Sequence, residues 1–250
     1  MKRIHMPTVD ARYWLSITLA SVFGTNLGDF YAHESGLGIW AGLLVLAVLA
    51  GATFLAERRD RSAHEVYYWL VIIIIRTGAT NIADYLAFEL NIPGIPLSVA
   101  LGLVIAVLAW RMAVAETSAG IAANRGLPHT DGRYWTAMLS AGVFGTVLGD
   151  VCSHHFGEGY ASMGLGLLLA AVLLGRWRGL VAAIAGYWIT VAVARTAGTA
   201  MGDWLAENKI LDIGLSRSTM ITGALFLVIL LVWRGKGVIP AAPTLDTKPT

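Results

Sequence analysis

The stretch YWLSITLASVFGTNLGD (13–29) returns three times along the chain. The other copies are YWLVIIIIRTGATNIAD (68–84), YWTAMLSAGVFGTVLGD (134–150) and YWITVAVARTAGTAMGD (187–203). Every copy begins with Tyr-Trp, ends with aspartate and has a threonine four residues before that aspartate, and no gap is needed to align them. Self-similarity of this kind is typical of repeat architectures. The sequence therefore predicts four tandem repeats.

The composition predicts that these repeats lie in a membrane. Hydrophobic residues make up 56% of the 250 residues and charged residues 14%, whereas soluble domains have roughly 45–50% and about 25%. A helix needs about 20 mostly apolar residues to cross a bilayer, and the apolar segments lack the alternation of barrel strands. We therefore expect an all-α integral membrane protein with two spans in each repeat. The eight predicted spans lie near 13–33, 38–56, 66–88, 96–113, 134–155, 161–177, 179–206 and 214–233.

The same numbers exclude several classes of protein. A soluble enzyme and a disordered chain do not fit this hydrophobicity, and a single cysteine, Cys152, excludes a disulfide scaffold. A net charge of +2 gives no argument for a nucleic acid as partner. The sequence motifs of nucleophilic hydrolases, zinc proteases and nucleotide-binding loops are not found, so we expect no enzyme. The expected partners are the lipid bilayer, a small cation and a second copy of the chain in a homo-oligomer.

Basic residues predict the orientation. The connections next to the Tyr-Trp pairs hold most of the cations, whereas the opposite connections are mainly acidic, with Lys209 and Arg217 as their cations. By the positive-inside rule both termini are expected in the cytoplasm of a bacterium, with the spans in its inner membrane. The cations on the predicted inner side are Lys2, Arg3, Arg12, Arg58, Arg59, Arg61, Arg111, Arg125, Arg133, Arg176, Arg178, Arg234 and Lys236. The predicted divisions are a cytoplasmic N-terminus (1–12), a first half (13–114), a cytoplasmic linker (115–133), a second half (134–234) and a disordered tail (235–250).

The repeats also predict the packing of the helices. Each repeat has two spans, so all four share one orientation, and the pseudo-symmetry axis is expected along the membrane normal. Small residues stand five and one positions before every aspartate, which lets helix backbones approach closely. We expect the odd-numbered helices to pack around the axis, the even-numbered helices to face lipid, and the Tyr-Trp pairs to anchor helix ends at the membrane interface. The small residues are Gly24, Gly28, Ala79, Ala83, Gly145, Gly149, Gly198 and Gly202.

The repeated Tyr-Trp and Thr-x-x-[Gly/Ala]-Asp elements resemble those of a known family. The chain is similar, over roughly residues 13–234, to bacterial inner-membrane proteins built from four tandem two-helix repeats of unknown function. The resemblance implies this architecture and a membrane location. It implies no activity.

The candidate site consists of polar residues within the spans. Threonine and aspartate four residues apart lie on one helix face, and we expect the four pairs to form a cation-binding ring. Arg76 and Arg195 stand eight residues before the aspartates of repeats two and four and are the expected charge partners. Charges inside a membrane are costly and face a partner or a water-filled cavity. The ring residues are Thr25, Asp29, Thr80, Asp84, Thr146, Asp150, Thr199 and Asp203.

Four carboxylates against two guanidiniums favour a transporter or channel for small cations. Oxygen ligands suit a divalent metal ion as substrate, and His33 and His154, four residues after their aspartates, are candidate metal ligands. No resident cofactor is expected. Three alternatives stay open: the arginines and aspartates form structural ion pairs in a non-transporting protein that acts through a partner, the threonines bond only to their own helices, and the histidines are merely solvated.

Overall fold

A computed structural model describes residues 6–60, 64–118, 128–180 and 183–234. In these ranges the chain forms eight α-helices and no strand, which confirms the predicted all-α class. The helices are α1 (Ala11–Asp29), α2 (Gly38–Arg59), α3 (Glu65–Asp84), α4 (Gly94–Ser118), α5 (Gly132–Phe156), α6 (Glu158–Trp177), α7 (Ala183–Glu207) and α8 (Leu215–Arg234). The predictions for Lys2, Arg3, Arg61, Arg125, Lys236 and the tail 235–250 lie outside the described residues.

Local sequence explains where the inner helices begin and end. Asp10 and Asp131 stand three residues before the tyrosines of repeats one and three, and their carboxylates accept backbone N–H groups of the first helical turn. A π-helical turn follows the aspartate directly in repeats one and two, at Phe30–Glu34 and Tyr85–Glu89. Such turns widen a helix locally and are frequent at functional sites. The two halves of the protein therefore differ where the aspartates lie.

The four repeats interlock around one axis. Helix α1 packs against α3, α3 against α5, α5 against α7, and α7 against α1, which closes a ring of four inner helices. Each even-numbered helix packs on the inner helix of the following repeat: α2 on α3, α4 on α5, α6 on α7 and α8 on α1. This arrangement agrees with the predicted inner ring of odd-numbered helices. The ends of the axis are called here the tyrosine end and the aspartate end.

The outer helices expose apolar side chains to their surroundings. Leu44, Leu103, Leu167 and Leu231, one on each outer helix, are 63–66% exposed, and an apolar surface of this extent is typical of a membrane protein. Helices α2, α3, α4, α5, α6 and α8 are long and apolar enough to cross a membrane. Helices α1 and α7 fall short of that hydropathy because they bury polar residues against the axis. The described residues thus support a multi-pass membrane protein. Six of the eight predicted spans meet the criteria of length and hydropathy for crossing a membrane.

Candidate functional site

Small residues bring the inner helices together, as predicted. A Cβ atom on Gly28 would lie 2.7 Å from Cβ of Thr80, and one on Gly149 would lie 2.8 Å from Cβ of Thr199. Such distances are shorter than real side chains allow, so only glycine permits these crossings. The closely packed backbones place side chains from all four repeats on one axis, in four successive layers.

The first layer is a closed ring of four tyrosine hydroxyls. Tyr13 bonds to Tyr68 at 2.7 Å and to Tyr187 at 2.6 Å, and Tyr134 bonds to the same two partners at 2.5 Å and 2.8 Å. All four side chains are at most 1% exposed. The prediction that they anchor the helices at an interface is wrong, because each hydroxyl satisfies its neighbour on the axis and does not need water.

Three of the four tryptophans next to these tyrosines correct the same prediction, and the fourth, Trp135, is half-buried. Trp14, Trp69 and Trp188 are 2–7% exposed and pack edge-on against the tyrosine rings of their own repeats. Trp110 and Trp177, outside the Tyr-Trp pairs, are 67% and 83% exposed, as interfacial residues would be. The Tyr-Trp pairs therefore pack inside the bundle at the tyrosine end of the axis.

The second layer holds the guanidinium of Arg195. Its two terminal nitrogens donate to Oγ of Ser21 at 3.2 Å and to Sδ of Met138 at 3.4 Å. The side chain is fully buried, and its Nε has no hydrogen-bond partner. Its charge interacts with the four tyrosines at the neighbouring end of the axis. A thioether and one hydroxyl are weak partners for a buried cation, so this guanidinium is poorly satisfied.

The third layer joins Arg76 to all four repeated threonines. One terminal nitrogen donates to Thr80 at 3.0 Å and to Thr146 at 2.8 Å, and the other donates to Thr199 at 2.6 Å and to Thr25. Both the arginine and the threonines are buried. The predicted convergence of the threonines is thus observed, with a guanidinium of the protein itself at their centre.

The orientation of the threonine hydroxyls follows from their helices. Thr25 and Thr199 donate their O–H to the carbonyl oxygens four residues earlier, at 2.9 Å and 3.2 Å, and Thr80 has the same partner position at a longer 3.5 Å. The alternative that the threonines bond only to their own helices is therefore wrong, because these hydroxyls also accept from Arg76. Because the hydroxyl hydrogens point to the helix, the oxygen lone pairs are left to accept from Arg76.

The fourth layer contains the aspartates. Asp29 interacts electrostatically with Asp84 and Asp150, and Asp203 with Asp150 and Asp29, so the four carboxylates converge at one end of the axis. Asp84 is 7% exposed and the other three are half-buried. One oxygen of Asp84, Oδ2, is buried and has no hydrogen-bond partner among the residues that the structure describes.

The structural ion pairs considered from the sequence are not found. Among the described residues no salt bridge within 4.0 Å joins Arg76 to Asp84 or Arg195 to Asp203. Arg76 interacts with carboxylates of other repeats over a longer range. Both guanidiniums instead donate to neutral oxygen and sulfur atoms, because their side chains extend along the axis and not along their own helices.

The histidines lie at the surface of the aspartate end. His33 and His154 are both exposed, and His33 is close enough to Asp84 to interact with its charge. In the part of the chain that the structure describes, no three His, Cys, Asp or Glu side chains come together to hold a metal ion. The aspartates thus converge without forming a chelating cluster.

Several residues of the axis could not be assigned from the repeat pattern alone. Met138 was not predicted, since a methionine in an apolar helix usually fills a core. Asn26 donates to Oγ of Ser218 at 2.6 Å and ties α1 to α8. The tyrosines carried a usable indication: their identity in all four copies is more than an interfacial anchor requires, because tryptophan, lysine or arginine would serve equally there.

Comparison with known proteins gives one match. No curated protein and no solved structure matches the chain. Two segments match a family model, and they contain the first and fourth copies of the 17-residue element, which confirms the predicted resemblance to tandem repeats of unknown function. The chain therefore carries the element described as Repeat of Unknown Function (DUF347), at residues 12–62 and again at 186–236.

Proposed function

We propose that the protein is a transporter for small cations, which are collected by the aspartate layer. The observation that carries this proposal is the convergence of four carboxylates, with Asp84 Oδ2 buried and without a partner. Ionised groups removed from water are stable only when they are paired. Since no arginine forms a salt bridge with these aspartates in the described residues, a cation from solution is the partner that we assign to the layer.

The proposal includes eight spans, with the tyrosine end in the cytoplasm of a bacterial inner membrane. Helices α1 and α7 lie in the same ring as α3 and α5 and have the same register of tyrosine, threonine and aspartate, which supports spans of equal extent. Arginines crowd the connections at the tyrosine end, which supports a cytoplasmic position for it. Among the described residues these are Arg58, Arg59, Arg111, Arg133, Arg176 and Arg178.

A transporter fits the axis better than an open channel. Below the aspartates the axis is filled by Arg76 with its threonines, then by Arg195, then by the hydrogen-bonded tyrosines. A cation that enters at the aspartate end would therefore first reach the guanidinium of Arg76, which blocks the axis. Passage therefore requires a rearrangement of the inner helices, which is the defining property of a carrier.

The geometry favours a cation that keeps its hydration water, which can donate hydrogen bonds to the carboxylates. A dehydrated divalent metal needs several ligand atoms at about 2.0–2.6 Å, and the carboxylates of the described chain form no such cluster. Manganese, calcium, sodium and potassium are all included in the test, because carboxylate layers attract each of them.

The test is flux into proteoliposomes. Asp29→Asn/Asp150→Asn removes two charges from the layer, and we expect flux of the transported cation to fall by roughly tenfold or more. Asp212→Asn is the matched control, since Asp212 is an exposed carboxylate in the connection between α7 and α8. Equal flux in both variants, or no flux of any cation through folded wild-type protein, would contradict the proposal.

A further inference from the structure

The threonine layer has the composition of a guanidinium site. Two terminal NH₂ groups carry four N–H bonds, and the layer offers four hydroxyl oxygens, two to each nitrogen of Arg76. The oxygens of Thr25 and Thr199 are held as acceptors by the hydrogen bonds of these hydroxyls to their own helices. Planar N–H donors in a fixed fork distinguish a guanidinium from a spherical metal ion.

The layer accepts only one guanidinium, although two arginines stand at equivalent positions of the repeats. Arg76 and Arg195 each precede their aspartate by eight residues, yet Arg76 turns to the threonines and Arg195 turns to the tyrosine end. All four hydroxyls already accept from Arg76. A second guanidinium there would have to share these hydroxyls with Arg76 and would add a repulsive charge in a buried layer.

The sequence decides which arginine occupies the layer. Arg195 has Ser21 and Met138 as partners towards the tyrosine end. The pseudo-twofold axis relates Ser21 to Gly142 and Met138 to Ile17, and neither counterpart has a polar side-chain atom. Arg76 therefore lacks the counterparts of the two partners that hold Arg195, whereas the threonine layer gives it four hydroxyl acceptors among the described residues.

Glycine makes room for the chain of Arg76. A Cβ atom on Gly24 would collide with Cγ of Arg76 and lie 2.8 Å from its Cβ. The Nε of Arg76 is buried without a partner, so the contacts that hold the side chain are made by its two terminal nitrogens. The site is thus built around the terminal part of the guanidinium, and the remainder of the side chain serves as a tether.

We infer that the threonine layer is a binding site for one guanidinium-class cation, which Arg76 fills as a tethered occupant. This inference rests on the proposed function only in that both concern the same axis. Removal of the tether leaves four threonine hydroxyls around the vacated position, two of them oriented by their own helices, and a free guanidinium ion restores the hydrogen bonds that Arg76 made. The occupant also explains the block between the aspartates and the tyrosines, because entry of another cation requires Arg76 to leave.

The test is chemical rescue of Arg76→Ala, measured as the unfolding temperature of the purified protein. Guanidinium titrated to about 10 mM is expected to raise this temperature by roughly 5 °C in a saturable way, and no rise would overturn the inference. Urea has the same planar shape without the charge and is expected to give no rise. Sodium chloride and potassium chloride are also expected to leave the unfolding temperature unchanged. Arg195→Ala is the matched control, because Arg76 still fills its threonine layer. Guanidinium should therefore not change the unfolding temperature of this variant or of the wild type.

Two further variants make the result decisive. Thr146→Val in the Arg76→Ala background removes one acceptor and should weaken guanidinium binding by about tenfold, whereas Thr146→Ser should keep it. If Arg76→Ala does not fold alone, it is purified with guanidinium and measured after its removal, and the protein should then lose stability. A variant that stays unfolded with guanidinium present, or is stabilised equally by potassium, overturns the inference. None of these measurements depends on flux, so failure of the transport proposal is seen separately.

Discussion

Removal of single hydroxyls from the tyrosine ring is expected to destabilise the protein in a pattern set by its geometry. Tyr134→Phe removes the bonds to Tyr68 at 2.5 Å and to Tyr187 at 2.8 Å. A buried hydrogen bond contributes about 0.5–1.5 kcal/mol net, and interhelical bonds in membranes average about 0.6 kcal/mol. Loss of two bonds should therefore cost about 1–3 kcal/mol, measured by unfolding in mixed micelles. Tyr160→Phe, at a side chain that is 75% exposed, is the control and should change little.

Double variants test whether the ring is closed. Adjacent tyrosines such as Tyr68 and Tyr134 share one bond, so their double variant loses three bonds where the two single variants lose two each. Tyr13 and Tyr134 lie across the ring and share none, so their costs should add. The adjacent pair should thus show a coupling energy of about 0.5–1.5 kcal/mol and the opposite pair a value near zero. Equal coupling in both pairs would refute a ring of four neighbours.

Two other substitutions test contacts between helices, and both are measured by unfolding. Gly145→Ala would place Cβ 2.5 Å from Cβ of Arg195 and should lower the free energy of unfolding by about 1–3 kcal/mol through overpacking. The control is Gly164→Ala, whose Cβ meets no atom within 4 Å and which should be neutral or slightly stabilising. Equal costs for the two variants would contradict the close crossing of α5 and α7. Asn26→Ala should lower the free energy of unfolding by about 1–2 kcal/mol because Ser218 loses its 2.6 Å partner. Adding Ser218→Ala to this variant should cost less than Ser218→Ala costs in the wild type, because the shared bond is already lost.

The repeat pattern was sufficient to predict the eight helices and the convergence of the threonines and aspartates. Identical residues at identical positions of four similarly oriented units must meet around the symmetry axis. The small residues before each aspartate indicated how closely they meet, and the 2.7 Å approach at Gly28 confirms it. This part of the structure depends on periodicity and side-chain size, which the sequence shows directly.

The contents of the axis could not be predicted in the same way. A long side chain such as that of Arg76 can extend towards either end of the axis, and the choice depends on residues of other helices, here Ile17 and Gly142. The tyrosines were assigned to an interface because that environment suits a ring with one polar atom, although four hydroxyls that bond to one another need no water. In both cases the decisive contact joins different repeats, and pattern analysis of one repeat does not contain it.

The divergence of the four repeats into two pairs, with arginine in repeats two and four and none at that position in repeats one and three, agrees with the charge of the axis. Four identical units would carry either four arginines or none beside four buried threonines. Four guanidiniums would repel one another around a layer with acceptors for one, and without any arginine the four aspartates would have no positive charge of the protein near them. Arginine in repeats two and four, with Ser21 and Gly142 in repeats one and three, leaves two cations that occupy different layers. A further step of divergence, Met138 against Ile17, then gives each arginine its own layer, so the asymmetry of the repeats determines the order of charges along the axis.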